Sequence, residues 1–255
     1  MRTLRRLATL GLATAAAACT SGTNGTAPEA AGRVALNLST NAATAASMAS
    51  GATSTTETYI MGTDTLVIDK VELVLREIEL ELASGSVGCT SDDDDDECSE
   101  LELATRLFDL PLGSSSGASR AITVDVPAGS YDEVEFEVHK PSRSDDAAFL
   151  AANPDFDGVA VRVSGTWNGQ RFTFTSDVEA EYELEFSPPL QVTESGNRDF
   201  TINIDVGSWF RASGGALIDP RTATRGQPNE SRVRNNIQNS VDAFDDDDRD
   251  GYDDD

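Results

Sequence analysis

Apolar and polar residues alternate along much of this chain, and no other feature of the sequence constrains its fold as strongly. The alternation runs through six segments, at residues 65–82, 121–126, 131–139, 158–176, 178–186 and 198–206. Successive side chains of a β-strand point to opposite faces, so this pattern is typical of strands with one buried face. Short strands separated by Gly- and Pro-containing turns predict an all-β protein, an antiparallel β-sandwich.

One hairpin can be predicted down to its register. Asn168-Gly169 interrupts the segment 158–176 and favours a two-residue type I′ turn, because both residues tolerate a positive φ. Trp167 then faces Gln170, and alternate residues outward from the turn share one face of the hairpin. That face collects Val161, Val163, Trp167, Phe172 and Phe174. A slip of one residue would mix these apolar side chains with polar ones, so the sequence itself specifies the register.

Changes in composition predict the domain organisation. A first strand is expected at residues 33–38 and a low-complexity polar loop at 39–58, both within a sandwich domain at 33–227. Residues 228–245 are predicted to form an amphipathic helix that leads into an Asp-rich tail at 246–255. The apolar face of this helix is expected to carry Val233, Ile237, Val241 and Phe244.

The N-terminal residues have the layout of an export signal. Three arginines precede an apolar run of 12 residues, Leu7–Ala18, whereas a bilayer span needs about 20. Residues 1–18 are therefore predicted to be a signal peptide. The following "AAAC" resembles the lipobox of bacterial lipoproteins, in which Cys19 would carry lipid and residues 19–32 would form a flexible tether to the membrane. The alternative is an ordinary secretory signal cleaved near Ala18.

Export bears on the two other cysteines, Cys89 and Cys98. An oxidising compartment favours a disulfide between them, which would close the acidic loop at 89–98. Closing so short a loop contributes about 2–3 kcal/mol of stability in the chain-entropy model. A zinc site is the alternative, but two cysteines and the single histidine, His139, do not supply the four ligands of a structural site.

The charge balance excludes one class of partner. The chain has 45 acidic and 19 basic residues and a net charge of −26. Nucleic-acid binding requires cations that displace the counterions of phosphate, so we expect no nucleic-acid partner. A protein this acidic stays soluble and attracts cations. Together with the export signal and the predicted lipid on Cys19, this leads us to expect a monomer held at a membrane of the bacterial cell envelope.

Glutamates occupy alternate positions on three predicted strands. They are Glu77, Glu79 and Glu81; Glu133, Glu135 and Glu137; and Glu179, Glu181, Glu183 and Glu185. Like charges directly opposite one another on paired strands repel. The pattern has two interpretations, a cation-binding face or a solvated outer face with arginines or other strands between the acidic rows.

The tail has the spacing of a calcium loop. Asp246, Asp248, Asp250 and Gly251 match D-x-D-x-D-G, the first half of an EF-hand-type loop. Tyr252 would offer its carbonyl at position seven and Asp254 would fall at position nine, with the preceding helix as the entering helix. We expect either weak Ca²⁺ binding by these residues or an acidic tail solvated by water.

We expect no enzymatic activity. With one histidine there is no HExxH motif, and no Gly-rich phosphate loop occurs. His139 lies on the polar side of its strand and is expected at the surface or at a strand end. A hydrolase would instead need a pocket with two convergent buried carboxylates.

Several phrases occur together, among them "LVLREIELEL", "FDLPLG", "VPAGSYDEVEFEVHKP" and "DDDDRDG". In this arrangement the chain resembles a family of bacterial exported proteins and lipoproteins with a prealbumin- or immunoglobulin-like sandwich, a "PAGxY" turn and aspartate-rich ends. The resemblance implies a fold and an envelope location, and no catalytic residues. It favours a non-catalytic binding or structural protein. The alternative function is a carbohydrate-binding or adhesion module, which would need exposed aromatic residues on one sheet face.

Overall fold

A computed structural model of the protein describes residues 31–40, 56–83, 103–113 and 118–246. The strands in these ranges are β1 (Ala31–Ser39), β2 (Glu57–Met61), β3 (Asp64–Leu82), β4 (Arg106–Asp109), β5 (Ser119–Pro127), β6 (Gly129–Val138), β7 (Val161–Trp167), β8 (Gln170–Ser176), β9 (Ala180–Val192), β10 (Asn197–Ile204) and β11 (Val241–Asp245). The helices are α1 (Ala147–Ala152), α2 (Val206–Trp209) and α3 (Glu230–Gln238). Short 3₁₀ turns lie at Pro154–Phe156 and Pro220–Thr222.

Two sheets form the sandwich that the alternating pattern predicts. The smaller sheet has the order β11-β10-β1-β5. The larger has seven strands, with the order β8-β7-β3-β6-β9 and with β2 and β4 also paired to β3. The pairs are antiparallel except for β1 and β10, which run parallel. The predicted all-β class is therefore confirmed, with one parallel pair that the sequence did not reveal.

The apolar core lies between the two sheets. Phe186 on β9 meets Phe200 on β10 edge to face at 5.5 Å between ring centroids, so this contact joins one sheet to the other. Phe210, just after α2, packs edge-on against Phe174 of β8 at 5.1 Å. Burial of each large apolar side chain contributes about 1.5–3 kcal/mol, so these contacts stabilise the sandwich.

The β7–β8 hairpin has the predicted register. Trp167 pairs with Gln170, Gly165 with Phe172 and Val163 with Phe174. β7 also pairs with β3, and this pairing requires a glycine at position 165. A Cβ on that residue would lie 2.0 Å from the carbonyl oxygen of Val67 in β3. Local turn chemistry thus set the hairpin, and close packing of the neighbouring strand set the residue type at its centre.

The segment 65–82 forms a single long strand, β3. Its pairing with β7 shifts between Ile68 and Lys70. A second shift, in the pairing with β6, lies between Arg76 and Glu79. One strand can therefore change its register with its neighbours twice without ending.

The "PAGS" turn carries the chain from one sheet to the other. β5 ends at Pro127 in the small sheet, and β6 begins at Gly129 in the large one. The Tyr131 hydroxyl donates a hydrogen bond of 2.9 Å to the Pro127 carbonyl, which fixes the corner. A Cβ at Gly129 would lie 2.7 Å from the Leu82 side chain, so the corner also requires its glycine.

The predicted helix at 228–245 is wrong in its second half. Val233 and Ile237 are buried on α3 as expected, but the helix ends at Gln238. The Asn239 N–H turns back to the carbonyls of Asn235 and Asn236, and the chain continues as β11. β11 pairs with β10, whose backbone groups would otherwise form an open sheet edge. Tertiary pairing thus overrides the helical spacing of Val241 and Phe244.

The boundaries of the predicted loop at 39–58 also change. Ser39 is the last residue of β1, and Glu57 is the first residue of β2. Most of that loop lies outside the described residues, as do the signal peptide at 1–18 and nearly all of the tether at 19–32. Within the described ranges, no helix has the length and hydrophobicity needed to cross a lipid bilayer.

Candidate cation sites on the outer face of the large sheet

Glutamates of three adjacent strands face one another on the outer face of the large sheet. Glu135 on β6 pairs with Glu79 on β3 and with Glu183 on β9. One row along, Glu133 pairs with Glu81 and with Glu185. We call these six residues the carboxylate ladder. Side chains directly opposite each other in paired strands have Cβ atoms about 4.5–5.5 Å apart, so the ladder concentrates six carboxylates in two rows.

The electrostatic consequence is clearest at Glu133. Burial raises its pKa above the ordinary value of 4.5, and the neighbouring charges of Glu135, Glu183, Glu185 and Asp132 raise it further. The ladder residues on β3 and β6 are half-buried, and those on β9 are exposed. The charged form of Glu133 is therefore disfavoured by burial and by its acidic neighbours, an effect that a bound cation would relieve.

The interpretation that other strands separate the acidic rows is wrong, because β3, β6 and β9 are direct neighbours. An arginine interrupts the pattern in one row only. Arg76 pairs with Glu137 in the β3–β6 register and donates to its Oε2 atom at 2.8 Å. Glu77 lies outside the ladder at the register shift, where its φ is 50°. In the two rows beyond Arg76, the pairing of the described strands sets glutamate opposite glutamate.

The opposite end of the same outer face has charges in complementary pairs. Glu72 on β3 accepts two hydrogen bonds from Arg162 on β7, at 2.6 and 2.9 Å, and one from Lys70 at 2.7 Å. Lys70 also contacts Asp109 on β4. Hydrogen bonding to Arg162 lowers the pKa of Glu72, against the effect of burial. We call these four residues the paired end.

His139 directly follows β6 and is only 4% exposed. The prediction of a strand-end position is confirmed, but the expectation of a surface side chain is wrong. The reason is the segment that follows β6. It carries Asp146 and α1 back over the outer face, where Leu150 and Phe156 bury Val74 of β3. The sequence gives no periodic signal for this covering segment.

Asp146 holds one side of the imidazole. The two side chains meet at 2.8 Å between His139 Nε2 and Asp146 Oδ2. Asp146 also accepts hydrogen bonds from the Ser142 N–H, at 2.9 Å, and the Thr105 hydroxyl, at 2.7 Å. Burial acts to raise the pKa of Asp146, but these hydrogen bonds outweigh it and the pKa is lowered. The carboxylate therefore stays charged and fixes the orientation of the ring.

The other ring nitrogen of His139 lies among acidic groups. Its Nδ1 atom is 3.5 Å from Glu137 Oε1. One ligand atom each from Glu137, His139 and Glu179 lies within 4.8 Å of the other two. Glu137 is 8% exposed, whereas the Glu179 side chain is 48% exposed and contacts Lys140 at 2.6 Å. We call these three residues the His139 trio.

Asp246, the first residue of the predicted calcium loop, is fully buried. The Thr201 hydroxyl donates to its Oδ2 atom at 2.5 Å, and its N–H donates to the Asp199 carbonyl. It follows strand β11, so the predicted entering helix is replaced by a strand. Asp246 belongs to a buried polar row on the outer face of the small sheet, which includes Asn37 bonded to Asp199.

The remaining predicted site residues lie outside the described part of the chain. They are Asp248, Asp250, Tyr252 and Asp254 of the calcium loop, Cys19 of the lipid anchor, and Cys89 and Cys98 of the disulfide. Each assignment stays a prediction.

A third titratable cluster joins β2 to α2. The Tyr59 hydroxyl donates to Glu57, and burial is the main cause that raises the pKa of Glu57. Burial also raises the pKa of Asp205, which precedes α2. A Cβ at Gly207 would lie 2.9 Å from the Tyr59 hydroxyl, so the ring packs directly on α2. These hydrogen bonds and contacts fasten the edge strand β2 to the sandwich.

Both tryptophans of the chain are buried. Trp167 is 8% exposed on the β7–β8 hairpin, as its register predicts, and Trp209 is fully buried with its Nε1–H donating to Ser240 Oγ at 2.7 Å. Neither can offer an open ring face to a sugar. The aromatic surface that a carbohydrate-binding module requires is therefore not supplied by these residues.

The ladder and the His139 trio differ in what sequence could reveal. Alternating glutamates identify the ladder residues, but only strand order shows that they are neighbours. Asp146 and Thr105 carry no recognisable signal, since both come from loops without a periodic pattern. No protein-family model, curated protein or solved structure matches this chain. What each site binds must therefore be inferred from its own geometry and charge.

Proposed function

We propose that this protein is a non-catalytic, lipid-anchored binding or structural protein of the bacterial cell envelope, and that it binds calcium on its carboxylate ladder. The observation that carries the proposal is the register of β3, β6 and β9, which sets glutamate opposite glutamate in two consecutive rows. Like charges directly opposite destabilise a sheet. A cation bound between the glutamates would offset this repulsion.

Calcium suits the ladder better than a smaller ion. Ca²⁺ accepts six to eight oxygen ligands in flexible geometry, at 2.3–2.6 Å, and carboxylates are its usual protein ligands. Exposed Glu183 and Glu185 provide mobile ligands, while Glu133 and Glu135 are held more rigidly on the central strand. Calcium sites in extracellular modules have Kd values of about 10⁻⁴–10⁻³ M, and we expect an affinity in this range for a site as exposed as the ladder.

The sequence of the N-terminus supports the location. A signal peptide at 1–18 followed by Cys19 is the arrangement of a lipoprotein, and acyl chains add about 0.8 kcal/mol per buried CH₂ to membrane binding. Only 11 residues lie between Cys19 and Ala31, the first residue of β1. The distance from Cys19 to Ala31 is therefore at most about 40 Å, so the sandwich would stay close to the membrane. Calcium on the ladder would reduce the repulsion between this acidic protein and anionic lipid.

Calcium binding is tested on the full-length mature chain. We expect calcium to raise the free energy of unfolding by about 1.4 kcal/mol at ten times the Kd, measured by urea denaturation with and without Ca²⁺. Glu133→Gln removes the carboxylate at the centre of one row, so its calcium-dependent gain is expected to fall to less than half. Isothermal titration of the same proteins gives the affinity directly.

Two further variants separate the ladder from other acidic groups. Glu194→Gln is the matched control, because Glu194 is exposed on a turn and its loss changes net charge by the same amount. We expect it to respond to calcium like the wild type. Asp248→Asn/Asp250→Asn tests the Asp-rich tail. A calcium response that survives Glu133→Gln and disappears in the tail variant would show that the tail is the site and the ladder is not.

The anchor is tested separately, by mass spectrometry of the protein from membrane fractions. We expect acylation of Cys19 and a bridge between Cys89 and Cys98. A soluble mature protein with an unmodified Cys19 would contradict the anchor without affecting the calcium result.

A further inference from the structure

We propose that Glu137, His139 and Glu179 form a binding site for a divalent transition metal of the zinc class, distinct from the calcium-binding ladder. The first support is convergence. The trio supplies one nitrogen and two carboxylate oxygens, which all lie within 4.8 Å of one another. Imidazole suits zinc and its neighbours, whereas calcium prefers oxygen ligands alone. The mixed ligand set therefore distinguishes this site chemically from the ladder.

The second support is the hydrogen bonding of His139. In the neutral tautomer that donates its Nε2–H to Asp146, the Nδ1 atom carries a lone pair. In that tautomer the lone pair faces Glu137 Oε1 at 3.5 Å, so two acceptors lie opposite each other. A metal ion placed between Nδ1 and the carboxylate oxygen would accept both lone pairs.

The third support is the position of Asp146. Metal-binding histidines usually donate their other ring N–H to a carboxylate, which fixes the tautomer and orients the ring toward the metal. Asp146 stands in this relation to His139 at 2.8 Å, and is itself held by Ser142 and Thr105. It is a positioning residue, because it would act on the metal only through the ring. A solvated surface histidine would need no such support.

Two cationic side chains, those of Arg76 and Lys140, already contact the carboxylates of the trio, but both leave ligand atoms for a metal. Arg76 uses Glu137 Oε2, so Oε1 points toward the ring. Lys140 contacts Glu179 Oε2, but its side chain is 36% exposed and its flexible stem can swing into solvent. Tetrahedral zinc with bonds of about 2.1 Å separates its ligand atoms by about 3.4 Å. Rotation of the exposed Glu179 side chain supplies the required contraction. Water would complete the coordination, as in zinc sites with three protein ligands.

The test is titration of Zn²⁺ into the full-length, metal-free protein, followed by isothermal calorimetry. Its cysteines are alkylated beforehand so that thiols do not compete for the metal. We expect one equivalent of Zn²⁺ to bind, and Glu179→Gln and His139→Gln each to weaken binding at least tenfold. Asp146→Asn should weaken it by about 10–100-fold, the range for outer-shell partners. Co²⁺ provides a second readout, a visible d–d spectrum without thiolate charge-transfer bands.

Glu181→Gln is the matched control. Glu181 lies opposite Glu137 in the β6–β9 register but outside the trio, so its loss should change zinc affinity less than twofold. Glu179→Gln is the decisive variant, because that side chain is half exposed and its replacement leaves the core intact. No saturable zinc binding, or equal affinity in Glu179→Gln and the wild type, would overturn the proposal and leave His139 in an ion pair. Glu133→Gln should leave zinc binding unchanged, so the calcium and zinc sites fail independently.

Discussion

Glu72 and Glu133 occupy the same face of the same sheet, yet their surroundings are opposite. Glu72, at the paired end, faces Arg162 across the β3–β7 pair, and its pKa is lowered. Glu133, in the carboxylate ladder, faces Glu81 and Glu185, and its pKa is raised. The difference comes from strand neighbours and not from the strands themselves, since β3 contributes to both ends. One end sets opposite charges against each other, and the other sets like charges side by side.

The largest effect is expected at the paired end. Arg162→Ala should lower the free energy of unfolding by about 3 kcal/mol, because removing one partner of a buried ion pair leaves the other charge poorly compensated. Glu72 is 5% exposed and would lose both hydrogen bonds from Arg162 while keeping the one from Lys70. Urea denaturation at neutral pH measures the change.

The control for this variant is Arg143→Ala. Arg143 contacts Asp157 with 83% of its side chain exposed, and exposed pairs contribute about 0–1 kcal/mol. Equal losses in the two arginine variants would show that burial does not distinguish the paired end.

A smaller effect of opposite sign is expected in the ladder. Without divalent cations and at low salt, Glu133→Gln should raise the free energy of unfolding by about 0.5–1 kcal/mol, because it removes like-charge contacts with Glu81 and Glu185. The experiment uses urea denaturation in the presence of a chelator. Glu194→Gln should change stability by less than about 0.5 kcal/mol. A destabilised Glu133→Gln variant would contradict the repulsion assigned to the ladder.

The pH dependence of the two ends should also differ in sign. The pKa of Glu133 is higher in the folded protein than its ordinary value of 4.5. The protonated carboxyl therefore favours the folded state, and the free energy of unfolding falls as pH rises from the ordinary pKa through the folded one. The lowered pKa of Glu72 means that its contribution is present above its ordinary pKa and is lost as pH falls through the folded value.

Stability curves of three proteins check this contrast between about pH 3 and pH 7. At neutral pH, Glu133→Gln should be more stable than the wild type and Glu72→Gln less stable. Both differences should shrink toward zero in acid, where the wild-type carboxyls are protonated. If the free energy of unfolding of both variants differed from that of the wild type in the same direction at every pH, the contrast between the paired end and the ladder would be wrong.

Salt should produce the smallest effect and sharpen the comparison. Raising ionic strength from about 0.01 to 1 M shortens the Debye length from about 30 to 3 Å. The advantage of Glu133→Gln over the wild type should therefore fall to a few tenths of a kcal/mol, because half-exposed charges are screened. The deficit of Arg162→Ala should change little, since Glu72 is buried. Chemical denaturation with urea, which is uncharged, allows both to be measured across this range.

Local sequence patterns predicted much of the sandwich. Period-two alternation located β3, β6, β7, β8 and β10, and the Asn168-Gly169 turn fixed the β7–β8 register. Periodicity gave a wrong prediction at Val241–Asp245. The helical spacing of its apolar residues predicted a helix, but this segment forms β11. Helical spacing describes only local geometry, whereas the open edge of β10 required a partner that sequence distance conceals.

The candidate sites show the same division. The sequence placed glutamates on alternate positions of three strands but left open whether other groups separated them. His139 was recognised as the only histidine, but not as a buried one, because Asp146 comes from a loop without a periodic pattern. Contacts between distant segments decide whether an acidic group is solvated, paired or crowded.

By itself, the sequence determined the fold class and the acidic character, since these depend on side-chain alternation and on composition. Only the tertiary structure decided which strands are neighbours. It set Glu133 against Glu81 and Glu185, gave Glu72 to Arg162, and buried His139 between Asp146 and Glu137. The physical reason is that electrostatic interaction depends on distance and burial, and both are fixed by pairing between segments far apart in the chain.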